Sequence, residues 1–240
     1  MQIENIEGTF VFEEAKRISP FYVKYSFYLA NGRTLPFKAG QYLDLVFHNN
    51  GIQEKRSYSI ASPPNNSLID FVIKDIKNGM ASSKLNGLKK GDVISFDGPF
   101  GQMSISNWQN KSYVFIATGS GIAPFRSMLP EIEANMKSGE NRVFLLLGIS
   151  VKEDAPFLDE FLNSSLKHKD FKLYICYGIK SDKAQEAWEF NVDLEDKLVQ
   201  ILEITRPDKI LISSNPTLIN KTRLILAERG FSSNDILCDI

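Results

Sequence analysis

The sequence predicts two domains: an antiparallel β-barrel over residues 1–106, then an α/β domain built on a parallel sheet over residues 107–240. Three observations predict it. A chain of 240 residues is long enough to build two cores rather than one. Up to about residue 105 it reads as short strand-type runs broken by turns, and beyond "NWQN" the rhythm changes to apolar strand followed by amphipathic helix, repeated.

In the first half the runs are "GTFVFEEAKRI", "FYVKYSFYLA", "GQYLDLVFH", "KRSYSIAS", "SLIDFVIKDI" and "GDVISFDGPFG". Tyr42, Asp44 and Val46 alternate with Leu43, Leu45 and Phe47, the period-two pattern of a sheet covered on one face. Several strands at this spacing suit a closed barrel. "MASSKLNGL" reads as a helix, entered after Gly79 through a serine-rich start. In the second half "SYVFIATG" precedes "PFRSMLPEIEANMKSG", and "RVFLLLGIS" precedes "FLDEFLNSSLKHK". "FKLYICYGIK" then precedes "NVDLEDKLVQILEI", and "KILISSNP" precedes "TLINKTRLILAERG", with a last strand at "DILCD". Continuous apolar strands alternating with amphipathic helices describe a parallel sheet covered on both faces.

Composition excludes several classes. The formal net charge is −1, from 28 Lys and Arg against 29 Asp and Glu, so no global field draws the chain to nucleic acid. Local basic groups exist at Lys84, Lys89 and Lys90 and at Lys16, Arg17 and Lys24; they read either as solvated surface or as a docking patch for an acidic partner. Cys176 and Cys238 cannot supply the four thiolates of an iron–sulfur cluster, and His48 and His168 stand apart from any metal-ligand spacing, so no metal is expected. No apolar run is long enough to span a bilayer and "MQIENIEGTF" lacks the pattern of a signal peptide, which leads to the expectation of a cytoplasmic protein.

Two stretches raise functional questions. "ATGSGIAPF", residues 117–125, follows a buried-type strand and opens a helix. Gly119 and Gly121 would let backbone approach an anion, the helix start would supply free N–H groups, and Pro124 suits the first helical position. A tight turn with no ligand accounts for the same pair of glycines, and Pro124 stands where a G-x-G-x-x-G fingerprint has its third small residue. "RSYSIAS", residues 56–62, is a strand with little apolar side chain. Arg56, Tyr58, Ile60 and Ser62 share one face while Ser57, Ser59 and Ala61 take the other. Either Arg56 snorkels and Tyr58 covers a barrel edge, or Arg56 pairs with a phosphate, Tyr58 offers a flat face to an aromatic ring and a serine hydroxyl donates to a ring nitrogen.

Arg-x-Tyr-Ser-x-x-Ser at Arg56, Tyr58, Ser59 and Ser62, Gly-x-x-Ser-x-x-Leu at Gly79, Ser82 and Leu85, "GPFG" and "ATGSGIAPFRSML" occur here in order. In order and spacing they resemble the ferredoxin–NADP reductase family, over nearly the whole chain. The resemblance implies an FAD-binding barrel and an NAD(P)-binding domain, with NADPH or NADH as the second cofactor. It implies that Arg56 binds the FAD pyrophosphate, that Tyr58 lies against the flavin, and that Ser59 hydrogen-bonds flavin N5, with Ser57 and Ser62 in the same cradle. Val72, Ile73 and Lys74 match a strand whose backbone contacts FAD, and Gly79, Met80, Ala81 and Ser82 match the helix start that holds its diphosphate. Gly40, Gln41 and Tyr42 match a family strand with a structural part. Thr118, Gly119, Ser120, Gly121, Ile122, Ala123 and Pro124 match the nicotinamide-dinucleotide loop, with Ser120 in place of a usual threonine.

Three departures accompany the resemblance. Ser213 and Ser214 replace the family's Cys-Gly near the nicotinamide; Ser213 keeps a hydrogen-bonding hydroxyl and is the second catalytic candidate beside Ser59. Ile240 replaces a terminal aromatic residue, so an open flavin face is expected. Gly178 and Ile179 replace the Ser-Arg pair of NADP-specific relatives, with Lys180, Ser181 and Lys183 beside them as substitutes, which leaves NADH and NADPH both open. The implied activity is hydride transfer between nicotinamide and flavin, with one-electron exchange with an acidic carrier, ferredoxin or flavodoxin, or with an oxygenase component. Free-flavin reductase, oxygenase reductase and a non-catalytic flavin-binding electron-transfer subunit are the alternatives.

Overall fold

A computed structural model describes residues 6–49, 51–105, 111–136, 141–178 and 184–238. By its contacts the chain divides into two compact units, Met1–Ser104 with Ala123–Leu129, and Ile105–Ile122 with Pro130–Ile240.

The first unit is an antiparallel six-stranded sheet of β1 (Ile6–Arg17), β2 (Tyr22–Leu29), β3 (Tyr42–Asn49), β4 (Ile52–Ser59), β5 (Ile69–Lys74) and β6 (Val93–Phe100). Its order is β4-β3-β6-β1-β2-β5. The sheet curls because one face is packed with rings: Phe10 stacks on Phe96 at 4.1 Å between centroids, and Phe27 and Phe71 meet it at 5.7 and 6.1 Å. Gly8 makes room for Phe96, whose ring would lie 2.6 Å from any Cβ there. The two ends of the sheet meet at a seam where Ile60 bridges Phe71 and the Ala61 N–H donates to the Asp70 carbonyl at 2.8 Å. The barrel expected from sequence is thus closed by a short seam, while β4 before Ile60 and β5 after Phe71 stay edge strands. Helix α1 (Met80–Asn86) packs Met80, Ala81 and Leu85 against the same core.

The second unit is a parallel sheet of β7 (Ser112–Thr118), β8 (Arg142–Gly148), β9 (Phe171–Cys176), β10 (Glu189–Phe190), β11 (Lys209–Ser213) and β12 (Ile236–Cys238), in the order β10-β9-β8-β7-β11-β12. Its strands are almost wholly buried, as in Val114, Phe115 and Ile116, because helices cover both faces of such a sheet. The helices are α2 (Ala123–Met136), whose residues up to Leu129 group by contact with the first unit, α3 (Leu158–Lys167), α4 (Leu194–Ile204) and α5 (Pro216–Glu228). A 3₁₀ turn, Gly119–Ile122, runs directly into α2, so Pro124 is the second rather than the first residue of that helix. The chain steps from β7 to β8 to β9 on one side, then returns past β7 to β11. This reversal leaves a crevice at the carboxyl ends of β7 and β11, the usual ligand position in open α/β sheets. Among the described residues no helix is long and apolar enough to cross a membrane.

Candidate functional site

In the barrel unit the informative feature is the inner side of β4. On β3, Leu43, Leu45 and Phe47 are buried, and their register partners on β4 are Tyr58, Arg56 and Glu54. Directly opposed residues project to the same face, so all three belong to the core side. Ile60 is fully buried and Tyr58 meets Phe71 edge-on at 6.4 Å, yet the Arg56 side chain is 49% exposed. The core-facing side of this edge strand therefore leaves the core partway along. There the Arg56 guanidinium bonds the Glu54 carboxylate at 2.6 Å and the Lys55 carbonyl at 2.8 Å. Burial pushes the Tyr58 phenol up to about 12 against a smaller pull from Arg56, so it remains a neutral hydroxyl.

The other serines of this strand separate. Ser57 faces outward and donates to Asp44 at 2.6 Å; Ser59 shares that side, opposite Tyr42, and is half-buried. Ser62 is wholly buried, its hydroxyl accepting from the Asp70 N–H at 3.0 Å and its carbonyl accepting from the Ser127 hydroxyl at 2.8 Å. Its hydroxyl is thereby committed to the barrel seam. On β5, Val72 and Ile73 are buried and Lys74 is exposed, with their backbone on the sheet's other edge. Ser82 accepts from the Ile76 N–H at 3.0 Å and donates to the Lys74 carbonyl at 3.3 Å, which ties the turn leading into α1. What this helix start offers a ligand is backbone: Gly79 brings no capping side chain to the first-turn N–H groups of Met80, Ala81 and Ser82. Gln41 is structural, accepting from the Lys38 N–H at 2.8 Å and donating to the Gly101 carbonyl at 3.3 Å.

Both basic groups seen in the sequence are partly neutralised. Lys90 joins Glu13, Arg17 joins Asp75 at 2.5 Å, and Lys24 lies 18% exposed between Glu14 and Asp70; Lys16, Lys84 and Lys89 are exposed.

In the α/β unit the structure brings the glycine turn to the Ser213–Ser214 pair. A Cβ on Gly121 would lie 2.0 Å from the Ser213 carbonyl oxygen, and Gly119 has φ +53°. Both glycines thus have a reason inside the protein: one lets two backbones touch, the other turns the chain. Thr118 and Ser214 hydroxyls meet at 2.5 Å, Ser213 is buried, and Ile122, Ala123 and Pro124 pack inward while Ser120 stays half-exposed. Beside this junction lies a cavity of 420 Å³, lined among others by Thr118, Gly148, Tyr177, Asp193, Asn215 and Lys221. All but Thr118 were missed in the sequence, although Gly148 closes β8 and Tyr177 and Asn215 come just after β9 and β11, where the topology rule would have directed attention; Asp193 precedes α4 and Lys221 lies within α5. Lys221 pairs with Glu195 at 3.9 Å across its rim. Cys176 lines the same cavity, with burial pushing its thiol up to about 12. Ile179, Lys180, Ser181, Lys183 and Ile240 lie outside the described residues.

The oxidoreductase FAD-binding domain model matches residues 9–105, and the oxidoreductase NAD-binding domain model matches residues 115–223. The chain belongs to the ferredoxin–NADP reductase family. Its relatives in that family include ferredoxin–NADP reductase B of Sorangium cellulosum, 33% identical over 67% of this chain and 64% of that protein. NADH-cytochrome b5 reductase 2 of Lodderomyces elongisporus is 32% identical over 66% of this chain and 53% of its own length. The matched stretch thus spans between half and two-thirds of these relatives. Among solved structures, the Amycolatopsis cytochrome P450 reductase GcoB superposes with a TM-score of 0.82 at 22% identity, over 98% of this chain and 69% of that one. At that identity the likeness is one of fold. The half-exposed Arg56 cation, the neutral Tyr58 phenol and the first-turn N–H groups of α1 are of the chemical kind that suits an anionic, ring-bearing group such as FAD.

Proposed function

We propose that this chain is a FAD-dependent NAD(P)H oxidoreductase that moves a hydride between nicotinamide and flavin N5 and exchanges single electrons with a separate carrier. The observation that carries the reading is the cavity at the strand-order reversal, bordered by the Thr118–Ser214 contact, on a chain whose barrel leaves the Arg56 guanidinium half-exposed and the Tyr58 ring only partly buried. FAD, when bound, supplies the capacity to take up two electrons together and give them up singly. In this reading Arg56 exchanges Glu54 for a diphosphate oxygen, and the first-turn N–H groups of Met80, Ala81 and Ser82 take another. Tyr58 presents its neutral ring, Ser59 donates a hydrogen bond at N5, and backbone of Val72, Ile73 and Lys74 holds the remaining edge. In the α/β unit the turn Thr118–Pro124 and Ser213 orient the dinucleotide. The boundary between the two functional domains is set at residues 106 and 107.

The carrier is proposed to be acidic, a ferredoxin, a flavodoxin or an oxygenase component, meeting the exposed Lys84 and Lys89. Support comes from the relatives' names, which pair the fold with ferredoxin, cytochrome b5 and cytochrome P450 as redox partners. The test is direct. Purified yellow protein is mixed anaerobically with NADH or with NADPH, and the flavin absorbance is followed; bleaching by one or both is expected. Persistence of full colour with both nucleotides would sink the enzyme reading and favour a flavin-binding electron-transfer subunit.

A further inference from the structure

The segment after β9 forms one wall of the α/β cavity, through Tyr177 and Gly178. Glu189, the first residue of β10, stands behind that wall and does not line the cavity; its side chain is 2% exposed. A carboxylate at that depth is costly unless donors surround it. Four do. The Tyr177 hydroxyl donates at 3.0 Å and Lys152 Nζ lies at 3.2 Å on one oxygen, while the N–H groups of Gln185 and Glu186 reach the other at 2.8 and 3.2 Å. Burial alone would raise the Glu189 pKa, but the Gln185 N–H, the Tyr177 hydroxyl, the Lys152 ammonium and the Glu186 N–H together hold it below the usual carboxylate range. It is ionised at neutral pH.

The donors come from three separate segments: the turn after β8, the end of β9 and the residues just before β10. Backbone bonds complete the tie, with the N–H groups of Ile175, Tyr177 and Gly178 donating to the carbonyls of Trp188, Phe190 and Val192. Lys152 also caps the Trp188 ring at 4.7 Å. Removing the carboxylate would leave a buried hydroxyl and two N–H groups without their acceptor, a loss the wall can relieve only by moving.

We propose that Glu189 is a positioning residue for the dinucleotide: its carboxylate locks Tyr177, and with it Gly178, into a preformed wall, so that binding does not have to order these two residues. This rests on the reading that the cavity takes a nicotinamide dinucleotide. Preorganisation of this kind acts on affinity rather than on the chemical step.

The test uses the FAD-loaded enzyme in steady-state reduction of ferricyanide, with whichever nucleotide reduces it. Glu189→Gln is expected to raise KM for the nucleotide roughly tenfold, with kcat within about twofold and FAD content unchanged. Lys152, half-exposed, supplies a variant safe for folding: Lys152→Met should raise KM several-fold and Lys152→Arg should restore it. A wild-type KM in both Glu189→Gln and Lys152→Met, or a loss confined to kcat, overturns the inference while leaving the proposed function intact. If Glu189→Gln does not fold, the Lys152 pair decides alone. Wild-type protein that neither NADH nor NADPH reduces overturns the proposed function and this inference together.

Discussion

Replacing Gly121 by alanine tests how the glycine turn is held. Its Cβ would sit 2.0 Å from the Ser213 carbonyl oxygen, 2.8 Å from the carbonyl carbon and 3.2 Å from the hydroxyl. Real Cβ atoms come no nearer than about 3 Å, so something must shift by about 1 Å. The strand cannot give way cheaply, because Ile212 and Ser213 are in register with Ile116 and Ala117 of β7. The turn Gly119–Ile122 must move instead, dragging Thr118 from its 2.5 Å contact with Ser214. Overpacking of this sort costs about 1–3 kcal/mol, which lowers Tm by roughly 5 °C in a chain of this size. At Gly230 the φ is +75° and a Cβ meets open space, so Gly230→Ala carries a backbone cost of about 1–2 kcal/mol without touching the turn. Scanning calorimetry and nucleotide kinetics on both variants separate stability from site geometry. Both should melt lower, but only Gly121→Ala should lose kcat/KM, by about ten- to a hundredfold, with FAD retained. A Gly121→Ala protein with wild-type Tm and wild-type kcat/KM would refute the reasoning.

Three further outcomes are expected. Arg56→Ala, which removes a guanidinium now held by Glu54, should weaken FAD binding by roughly 10- to 100-fold in equilibrium dialysis, the worth of one charge-assisted hydrogen bond; unchanged affinity would remove Arg56 from the diphosphate site. Burial pushes the phenols of Tyr25, Tyr58 and Tyr113 from 10.0 up to about 12. Their contribution to stability is complete below pH 10 and is lost as pH rises towards 12, so Tm should fall steeply across that window and less steeply in Tyr58→Phe; a flat Tm from pH 9 to 11.5 would contradict it. Iodoacetamide at pH 8 should spare Cys176 in the native protein, since a thiol near 12 is ionised in only about one molecule in ten thousand, and should label it once urea unfolds the chain. Equal labelling rates in the native and unfolded states, read by mass spectrometry, would show that the thiol is not buried.

Much of this molecule was legible because its signals are short-ranged. The alternation of Leu43, Leu45 and Phe47, the apolar run of β7 and the glycine turn into α2 each lie within about ten residues, the scale on which periodicity and turn chemistry act. β10 escaped because two residues, Glu189 and Phe190, have no period of their own and become a strand only by pairing with β9. The cavity residues Gly148, Tyr177 and Asn215 escaped for a related reason: they lie at the carboxyl ends of three different strands and converge only when the sheet is assembled.

The linear order of residues therefore determined the succession from an antiparallel sheet to a parallel one, the strands and helices other than β10, and the choice of candidate residues from Arg56 to Pro124. Only the tertiary structure decided what those residues are free to do. Ser62 is claimed by Asp70, Ser82 by Lys74 and Ile76, Arg17 by Asp75 at 58 residues' distance and Lys90 by Glu13 at 77. Even Gly121 is glycine because Ser213 folds back against it. A hydrogen bond or a steric contact acts over a few ångströms of space, whatever number of residues separates its partners along the chain.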